Sequence, residues 1–205
     1  MITYSIIAAQ NSNLFDKIYV SSEDSVVIEI SRKYGAEIIK RPKKLSDDFT
    51  PTIPVIRHAI EWMTENDIYP DAVCCIYACS PLVLPDDIIA GYNTLIEDNW
   101  EFVISATDFG YPIQRAFKIK DNGSLAMLNP ENYNKRTQDL EPVFHDADKF
   151  YWGRTKAWME NSLIFSEKST AVRIPQFRVQ VIDTEQDWIK AEIAYKTFME
   201  NKNNK

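Results

Sequence analysis

The stretch Asp71–Asp87, DAVCCIYACSPLVLPDD, decides the fold that the sequence predicts. Within it, Val73–Tyr77 is a short apolar run between an acid and a turn of small residues and proline, which is typical of a strand buried on both faces. Asp86 and Asp87 follow the turn and can cap a helix that begins near Ile88. Because open α/β sheets bind ligands at the carboxyl ends of their strands, we expect a ligand site directly after this strand.

Helices and strands alternate on both sides of this stretch. The patterns predict helices at Met1–Gln10, after Asp24, after Thr52, at 86–98, at Arg154–Asn161 and after a capping box formed by Thr184 and Asp187. They predict strands at Lys17–Ser21, Glu37–Lys40, Val73–Tyr77, Phe102–Ala106, Phe150–Gly153 and Phe177–Asp183. This alternation predicts one α/β domain over residues 1–205 with a mainly parallel sheet. The polar, turn-rich stretch of about 107–150 interrupts it and predicts an inserted hairpin or arm.

Composition limits the classes of function. The net charge of −7 argues against a general nucleic-acid or anionic-membrane surface. No apolar run is long enough to span a bilayer, and the amino terminus lacks a signal-peptide pattern. The three cysteines, Cys74, Cys75 and Cys79, lie in one strand and its turn, which predicts free thiols and a reducing, cytoplasmic location. The five glycines are scattered, so the sequence contains no glycine-rich phosphate loop.

Asp183 ends a predicted strand directly before a helix. A carboxylate in this position can hold Mg²⁺ against substrate phosphates, since Mg²⁺ usually takes one or two protein oxygens. Capping of the helix or simple solvation is the alternative interpretation.

Two polar segments could contact a nucleotide. Arg41, Lys43 and Lys44 follow a predicted strand and could bind a polyphosphate, or they could form a solvated basic turn. Thr50 and Thr52 precede a helix whose free amides could bind an anion, although plain capping explains them as well.

The arm carries further candidates. Arg136, beside Gln138 and Asp139, could grip a carboxylate at two points or could pair within its own loop. His145 and Asp146 could suggest acid–base or metal chemistry. With two histidines in the chain and no zinc-type cysteine spacing, a histidine- or cysteine-rich metal site is excluded.

Several stretches together resemble one family, the CMP-sialic acid synthetases, which are cytidylyltransferases that activate nine-carbon ulosonic acids. The subgroup that acts on pseudaminic acid is the most similar, because of the segments RTQDLE and HDADKFYWG. The resemblance runs from Met1 to about Phe198 and rests on KIYVSSED, YGAEIIKRPKKLSDDFTPTIPVIRHAIEW, CCIYACSPLVLPDDI, NKRTQDLEPVFHDADKFYWG and VIDTEQDW.

The resemblance implies a Rossmann-like nucleotidyltransferase fold and transfer of CMP from CTP to the anomeric hydroxyl of the sugar acid, with release of pyrophosphate. It implies an enzyme with Mg²⁺ as cofactor and a homodimer paired through the arm. By the family pattern, Arg41, Thr50, Thr52 and Ser80 would contact the nucleotide, Tyr77, Arg136 and Gln138 would contact the sugar acid, and Asp183 would bind the metal.

Two departures from the family accompany the resemblance. The family opens with a strand and a loop of the form ARxGSKxxxxKN, which supplies the catalytic arginine and lysine; no segment here matches it, so no catalytic residue is assigned and we expect an amino-terminally truncated form. Val181 also stands where the family often has the first acid of an Asp-x-Asp metal site. Legionaminic or sialic acid is the alternative substrate, and a non-catalytic chain that binds sugar acid or dimerises is the alternative class.

Overall fold

The structure is a computed structural model that describes residues 1–160, 162–180, 182 and 184–203, the last three without side chains. The helices are α1 Ile2–Ser12, α2 Ser25–Lys33, α3 Thr52–Glu65, α4 Pro85–Glu97, α5 Thr155–Met159 and α6 Glu185–Asn203. The strands are β1 Tyr19–Ser22, β2 Glu37–Lys40, β3 Ala72–Ile76, β4 Phe102–Asp108, β5 Phe117–Ile119, β6 Leu125–Met127, β7 Phe144–Arg154 and β8 Ser169–Arg173. The predicted α/β class is confirmed.

The central sheet has four strands in the order β3-β7-β4-β8 and is mixed. Strand β7 runs antiparallel to both β3 and β4, whereas β4 and β8 are parallel. The predicted strand Phe150–Gly153 is part of this longer central strand. β1 and β2 form a separate parallel pair, so the sheet is less uniformly parallel than predicted.

Both faces of β3 pack against the core, as predicted: Ala72, Cys74 and Ile76 contact one hydrophobic cluster, and Val73 and Cys75 contact the other. All five residues of the strand, Ala72–Ile76, are nevertheless partly exposed. The reason lies in the topology, because among the described residues β3 pairs only with β7 and its other edge has no strand beside it. An apolar run reports that a strand packs well, but it does not report whether a neighbour covers both edges.

Successive side chains of β7 point to opposite faces of the sheet and build two cores. Phe150 and Trp152 pack among α1, α4 and the sheet, whereas Tyr151 packs with α3 and α5. Ile39 of β2 belongs to the second cluster, so the β1–β2 pair shares a core with the larger sheet. The result is a sheet covered by helices on both faces.

Most helix predictions are confirmed within one to three residues. Asp24 caps α2, accepting from the backbone N–H groups of Val26 and Val27, and Thr184 and Asp187 form the predicted capping box before α6. Thr52 is not a cap, because Pro51 occupies that position and Thr52 is already helical. Within the part of the chain that the structure describes, no helix has the length and apolar character needed to cross a membrane.

The last strand of the prediction is misplaced. Gln176–Arg178 forms a 3₁₀ turn where the strand Phe177–Asp183 was expected, and Val181 and Asp183 lie outside the described residues. The final strand of the sheet is β8, Ser169–Arg173 (STAVR), a short run of small and β-branched residues that the sequence analysis did not predict. It is a strand because β4 offers it a complete parallel edge from Phe102 to Ala106.

Residues 109–143 connect β4 to β7 and contain the β5–β6 hairpin, Phe117–Met127. Its turn includes Gly123 at a φ of 80°, a left-handed conformation that glycine adopts readily. Both ends of the predicted insertion, 107–108 and 144–150, belong instead to strands of the central sheet.

Candidate active site

The carboxyl end of β3 is held by two neighbouring elements. The Tyr77 N–H donates to the Lys149 carbonyl at 3.0 Å, and the Ser5 hydroxyl of α1 donates to the Tyr77 carbonyl at 2.7 Å. Ser80 is fully buried, and its Oγ donates to the Asp148 carbonyl at 2.8 Å. The two predicted residues Tyr77 and Ser80 are therefore fixed against the same short segment of β7.

That segment of β7 is a bulge. The pairing with β4 passes from Tyr151↔Ile104 to Asp146↔Ala106, so five steps along β7 match two along β4. The Ser105 Oγ accepts the backbone N–H groups of Lys149 and Phe150, both at 3.1 Å, which the sheet ladder leaves without partners. Bulges of this kind re-aim side chains next to functional sites.

Thr52 and Tyr77, which the sequence assigns to the nucleotide and the sugar, meet in the structure. Thr52 Oγ1 lies 3.4 Å from the Tyr77 hydroxyl at the start of α3. Tyr77 also packs edge to face on Tyr151, whose hydroxyl donates to the Asp146 carboxylate. Burial raises the pKa of both phenols, and the Asp146 carboxylate raises the pKa of Tyr151 further, so both are neutral near pH 7.

Arg41 lies at the end of β2. Its Nη2 donates to the Ser21 carbonyl at 2.5 Å and its Nε to the Ser21 hydroxyl at 3.2 Å. Burial raises the pKa of the Cys75 thiol to about 12, and the positive charge of Arg41 opposes that rise. The predicted nucleotide residue is therefore anchored to β1 through Ser21.

Thr50 lies in a tight turn on Asp47. The Thr50 N–H and hydroxyl both donate to Asp47 Oδ1, at 2.7 and 2.8 Å. These bonds lower the pKa of the Asp47 carboxyl. A direct nucleotide contact by Thr50 remains a prediction.

Arg136 and Gln138 lie in the loop 109–143. The Arg136 guanidinium forms a two-point ion pair with Asp139, with Nε–Oδ2 and Nη2–Oδ1 distances of 2.7 and 3.0 Å. This is the pairing within the loop that the sequence left open. Both partners are largely exposed, so a substrate carboxylate could replace Asp139 at little cost, and the role of Arg136 stays a prediction.

Asp183, the predicted metal ligand, lies outside the described residues. Among the residues that are described, no group of three or more histidine, cysteine or acidic side chains could hold a metal ion. A magnesium ion bound by one carboxylate together with substrate phosphates would not require such a group.

Sequence reasoning missed a buried ionic cluster beneath this site. Asp87, at the start of α4, forms a two-point pair with Arg178 at 2.5 and 2.9 Å, and all but a tenth or less of either side chain is buried. The Lys149 amine lies nearby, fully buried and without a hydrogen-bond partner among the described residues. Burial lowers the pKa of Lys149 to about 8, and the Arg178 charge adds to that effect. The sequence does contain one signal that could have indicated this burial, because Lys149 lies between the apolar residues Ala147 and Phe150.

A helix-covered α/β sheet with polar side chains gathered at the end of one strand belongs to the nucleotide-binding class of folds. The family model described as Cytidylyltransferase matches residues 1–201, and the chain belongs to this family. A pseudaminic acid cytidylyltransferase from Campylobacter jejuni is 42% identical over 203 residues, which cover 98% of this chain and 87% of that protein.

Solved structures show the same fold at much lower identity. A CMP:2-keto-3-deoxy-manno-octonic acid synthetase complexed with CTP has a TM-score of 0.63 at 12% identity and covers 95% of this chain and 88% of its own. A 4-diphosphocytidyl-2C-methyl-D-erythritol synthase has a TM-score of 0.65 at 8% identity, with coverage of 95% and 87%.

Proposed function

We propose that the protein transfers CMP from CTP to the anomeric hydroxyl of pseudaminic acid, which releases pyrophosphate and forms CMP-pseudaminic acid. The observation that carries this proposal is the 42% identity to a pseudaminic acid cytidylyltransferase along nearly the whole chain. The gathering of Thr52, Tyr77 and Ser80 at the carboxyl end of β3 supports it, because this is where the sheet can bind a ligand.

The residues of this chain divide between the two substrates. Arg41, Thr50 and Thr52 contact the nucleotide, with Arg41 supplying positive charge at the end of β2. Ser80, which was predicted with them, is fully buried on the Asp148 carbonyl and supports the site from beneath. Tyr77 lies between nucleotide and sugar, and Gln138 contacts the sugar. Arg136 releases Asp139 and binds the sugar carboxylate in its place, since a guanidinium binds either carboxylate in the same two-point geometry.

In the reaction, the oxygen of the anomeric hydroxyl attacks the α-phosphorus of CTP, the bond between the α-phosphorus and the oxygen that bridges to the β-phosphate breaks, and pyrophosphate leaves. The proton of the anomeric hydroxyl passes to solvent or a base. The chain holds the two reactants in line and excludes water around them. Asp183 would hold Mg²⁺, which would neutralise part of the phosphate charge. The free cysteines are compatible with action in the reducing cytoplasm.

We also propose that the protein works as a homodimer paired through the β5–β6 hairpin. Phe117 and Ile119 lie two residues apart on one strand, opposite Met127 and Leu125 on the other, so these four side chains share one face. Phe117, Ile119 and Leu125 are each more than half exposed. A contiguous apolar face of this kind on an exposed hairpin is suited to burial against a second copy.

The function is tested by incubating the chain with CTP, Mg²⁺ and pseudaminic acid, and measuring pyrophosphate release and the CMP-sugar by mass spectrometry. Parallel reactions use legionaminic and sialic acids. We expect turnover with pseudaminic acid at a kcat/KM at least about tenfold above the others, the discrimination that one well-placed polar contact provides. A folded chain that releases no pyrophosphate with any of the three sugars would contradict the proposal and favour a binding or dimerising role.

The metal assignment is tested in the same assay. We expect Asp183→Asn to abolish most turnover and to raise the Mg²⁺ concentration for half-maximal rate, whereas Glu185→Gln, two residues further along at an exposed position, should leave both unchanged. An unchanged Mg²⁺ dependence in Asp183→Asn would exclude this residue as the ligand.

A further inference from the structure

The bulge of β7 joins two side chains that a regular strand would keep apart. Asp146 and Tyr151 are five residues apart, which in a regular strand means opposite faces and a separation of about 17 Å. In the structure the Tyr151 hydroxyl nevertheless donates to Asp146 Oδ2. Asp146 Oδ1 accepts the Asp148 N–H at 2.9 Å, so one oxygen of this carboxylate holds the bulge and the other holds the tyrosine.

The bulge carries a conformational cost. Asp148 adopts a φ of 49°, in the left-handed region that glycine adopts freely and that aspartate and asparagine adopt more often than other residues with a side chain, though still uncommonly. The buried hydroxyl of Ser105 is committed to the two backbone N–H groups that the bulge releases. Costs of this kind persist in folded proteins chiefly where they orient a functional group.

We propose that Asp146 and Tyr151 are positioning residues of the candidate active site: Asp146 orients the Tyr151 hydroxyl, and Tyr151 fixes the ring and hydroxyl of Tyr77 where Tyr77 meets Thr52. The inference rests on the proposed function, because it concerns the same substrate-binding floor. Sequence patterns assign neither Asp146 nor Tyr151 to that floor.

The backbone of Tyr151 is held on both sides, since it pairs with Cys75 of β3 and Ile104 of β4. Its ring is 6% exposed and meets the Tyr77 ring edge to face, with centroids 5.4 Å apart and planes at 86°. A ring fixed in this way limits the rotation of its neighbour, so Tyr77 inherits its orientation from β7 and not from its own loop.

The direction of the hydrogen bond between Tyr151 and Asp146 follows from the chemistry of the carboxylate. Asp146 has only acceptors, so the Tyr151 hydroxyl must donate to it and its oxygen is left as an acceptor. The Tyr77 hydroxyl lies 3.4 Å from Thr52 Oγ1, and either oxygen can donate to the other.

The first test is a double-mutant cycle on Tyr77→Phe and Tyr151→Phe, measured in kcat and KM for both substrates and in CTP binding by calorimetry. We expect Tyr151→Phe to weaken substrate binding about tenfold, the effect of losing one hydrogen bond, with kcat changed less than KM. In the Tyr77→Phe background, Tyr151→Phe should cause no further loss, because its effect passes through the Tyr77 hydroxyl. Losses that add independently, or a folded Tyr151→Phe variant with no loss, would overturn the proposal.

Tyr92→Phe is the matched control, since Tyr92 packs on Trp152 in the opposite core and lies outside the site. It should change neither substrate's KM. A loss in Tyr92→Phe equal to that in Tyr151→Phe would show that the effect is general packing, which also overturns the proposal.

The second test does not depend on turnover. In protein labelled with ¹³C at tyrosine Cζ, the Asp146→Asn variant should lower the pKa of both Tyr77 and Tyr151, because it removes a negative charge that raises each of them. Unchanged titration and an unchanged Tyr77 resonance would refute the coupling. If the unmodified chain shows no turnover, the proposed function fails, and this spectrum still decides whether Asp146 positions Tyr77.

Discussion

Lys149 has an environment that disfavours its charged form. Its amine is buried and has no hydrogen-bond partner among the described residues, and the charged groups that act on it are Arg178, Asp87 and Asp148. Both oxygens of the Asp87 carboxylate bind Arg178 in a two-point pair, so Asp87 compensates little of the charge on Lys149. Lys149 therefore decreases the stability of the fold near neutral pH, and its position beneath Tyr77 makes it a cost carried at the candidate active site.

Replacing Lys149 by methionine should stabilise the protein at pH 7. The pKa of Lys149 in the folded state is about 8, below its ordinary value of 10.5, so between these values the unfolded chain binds more protons and the contribution of Lys149 to stability rises with pH. The loss of folding stability caused by Lys149 is therefore largest below pH 8 and disappears by about pH 10.5. We expect the variant to gain about 1–3 kcal/mol at pH 7.

The measurement is urea unfolding of both proteins at several pH values, and the readout is the difference between them. The buried thiols and tyrosines also titrate in alkali, but they occur in both proteins and cancel in the difference. We expect the difference to shrink steadily from pH 8 to 10.5. A difference that stays constant with pH, or a variant less stable than the unmodified protein at pH 7, would show that Lys149 is compensated in the fold.

At the scale of elements, the close approach of α4 to β7 depends on one small residue. A Cβ at Gly91 would lie 2.7 Å from both Phe150 Cε2 and Trp152 Cδ1, which is closer than carbon atoms can pack. These two aromatic residues form the floor on which α4 rests, and the Trp152 indole N–H donates to the Ile88 carbonyl of the same helix at 3.0 Å. Gly91 therefore sets the distance between α4 and the sheet, and with it the position of Asp87.

We expect Gly91→Ala to destabilise the protein by about 1–3 kcal/mol, the usual cost of overpacking a core. Helix propensity alone predicts the opposite sign, a gain of about 1 kcal/mol, so the direction distinguishes packing from propensity. Gly110→Ala is the control, because a Cβ there would meet only the flexible end of Gln176 and should change stability by less than about 0.5 kcal/mol. The measurement is the thermal unfolding of the unmodified protein and of the two variants. A stabilised Gly91→Ala variant would contradict the packing explanation.

At the scale of the whole molecule, the β5–β6 hairpin is the feature that a monomer explains least well. Its apolar face of Phe117, Ile119, Leu125 and Met127 is largely open, although the surrounding chain carries a net charge of −7. The charge keeps separate molecules apart in general, so an association through this face must be specific. This combination is the basis of the proposed homodimer.

Ile119→Glu should convert the dimer to a folded monomer, because the new carboxylate would have to be buried at the interface without a partner. Lys118→Glu changes the adjacent side chain, which points to the opposite face of the same strand, and should leave the dimer intact. Light scattering after size-exclusion chromatography measures the mass of each. An unmodified protein that is monomeric at all concentrations tested would refute the dimer, and dissociation of both variants would refute the hairpin face as its site.

Much of the fold could be predicted from local chemistry. Capping residues and apolar periodicity locate the helices, since both signals arise within a few residues of the chain, as Asp24 and the pair Thr184–Asp187 show. The strand β8 was not found in this way, because its five residues are too few for a clear pattern and pair along the edge that β4 provides. For the same reason the partial exposure of β3 was missed.

Local patterns and motif order were enough to predict the α/β class, a candidate site after Val73–Tyr77, membership of a cytidylyltransferase family and the candidates Thr52, Tyr77 and Ser80. They could not predict that β7 runs antiparallel through the sheet, that its bulge joins Asp146 to Tyr151, or that Lys149 lies buried near the pair Asp87–Arg178. These features are contacts between residues up to about ninety positions apart. Which distant groups meet is set by strand pairing and core packing, and no local pattern in the chain records it.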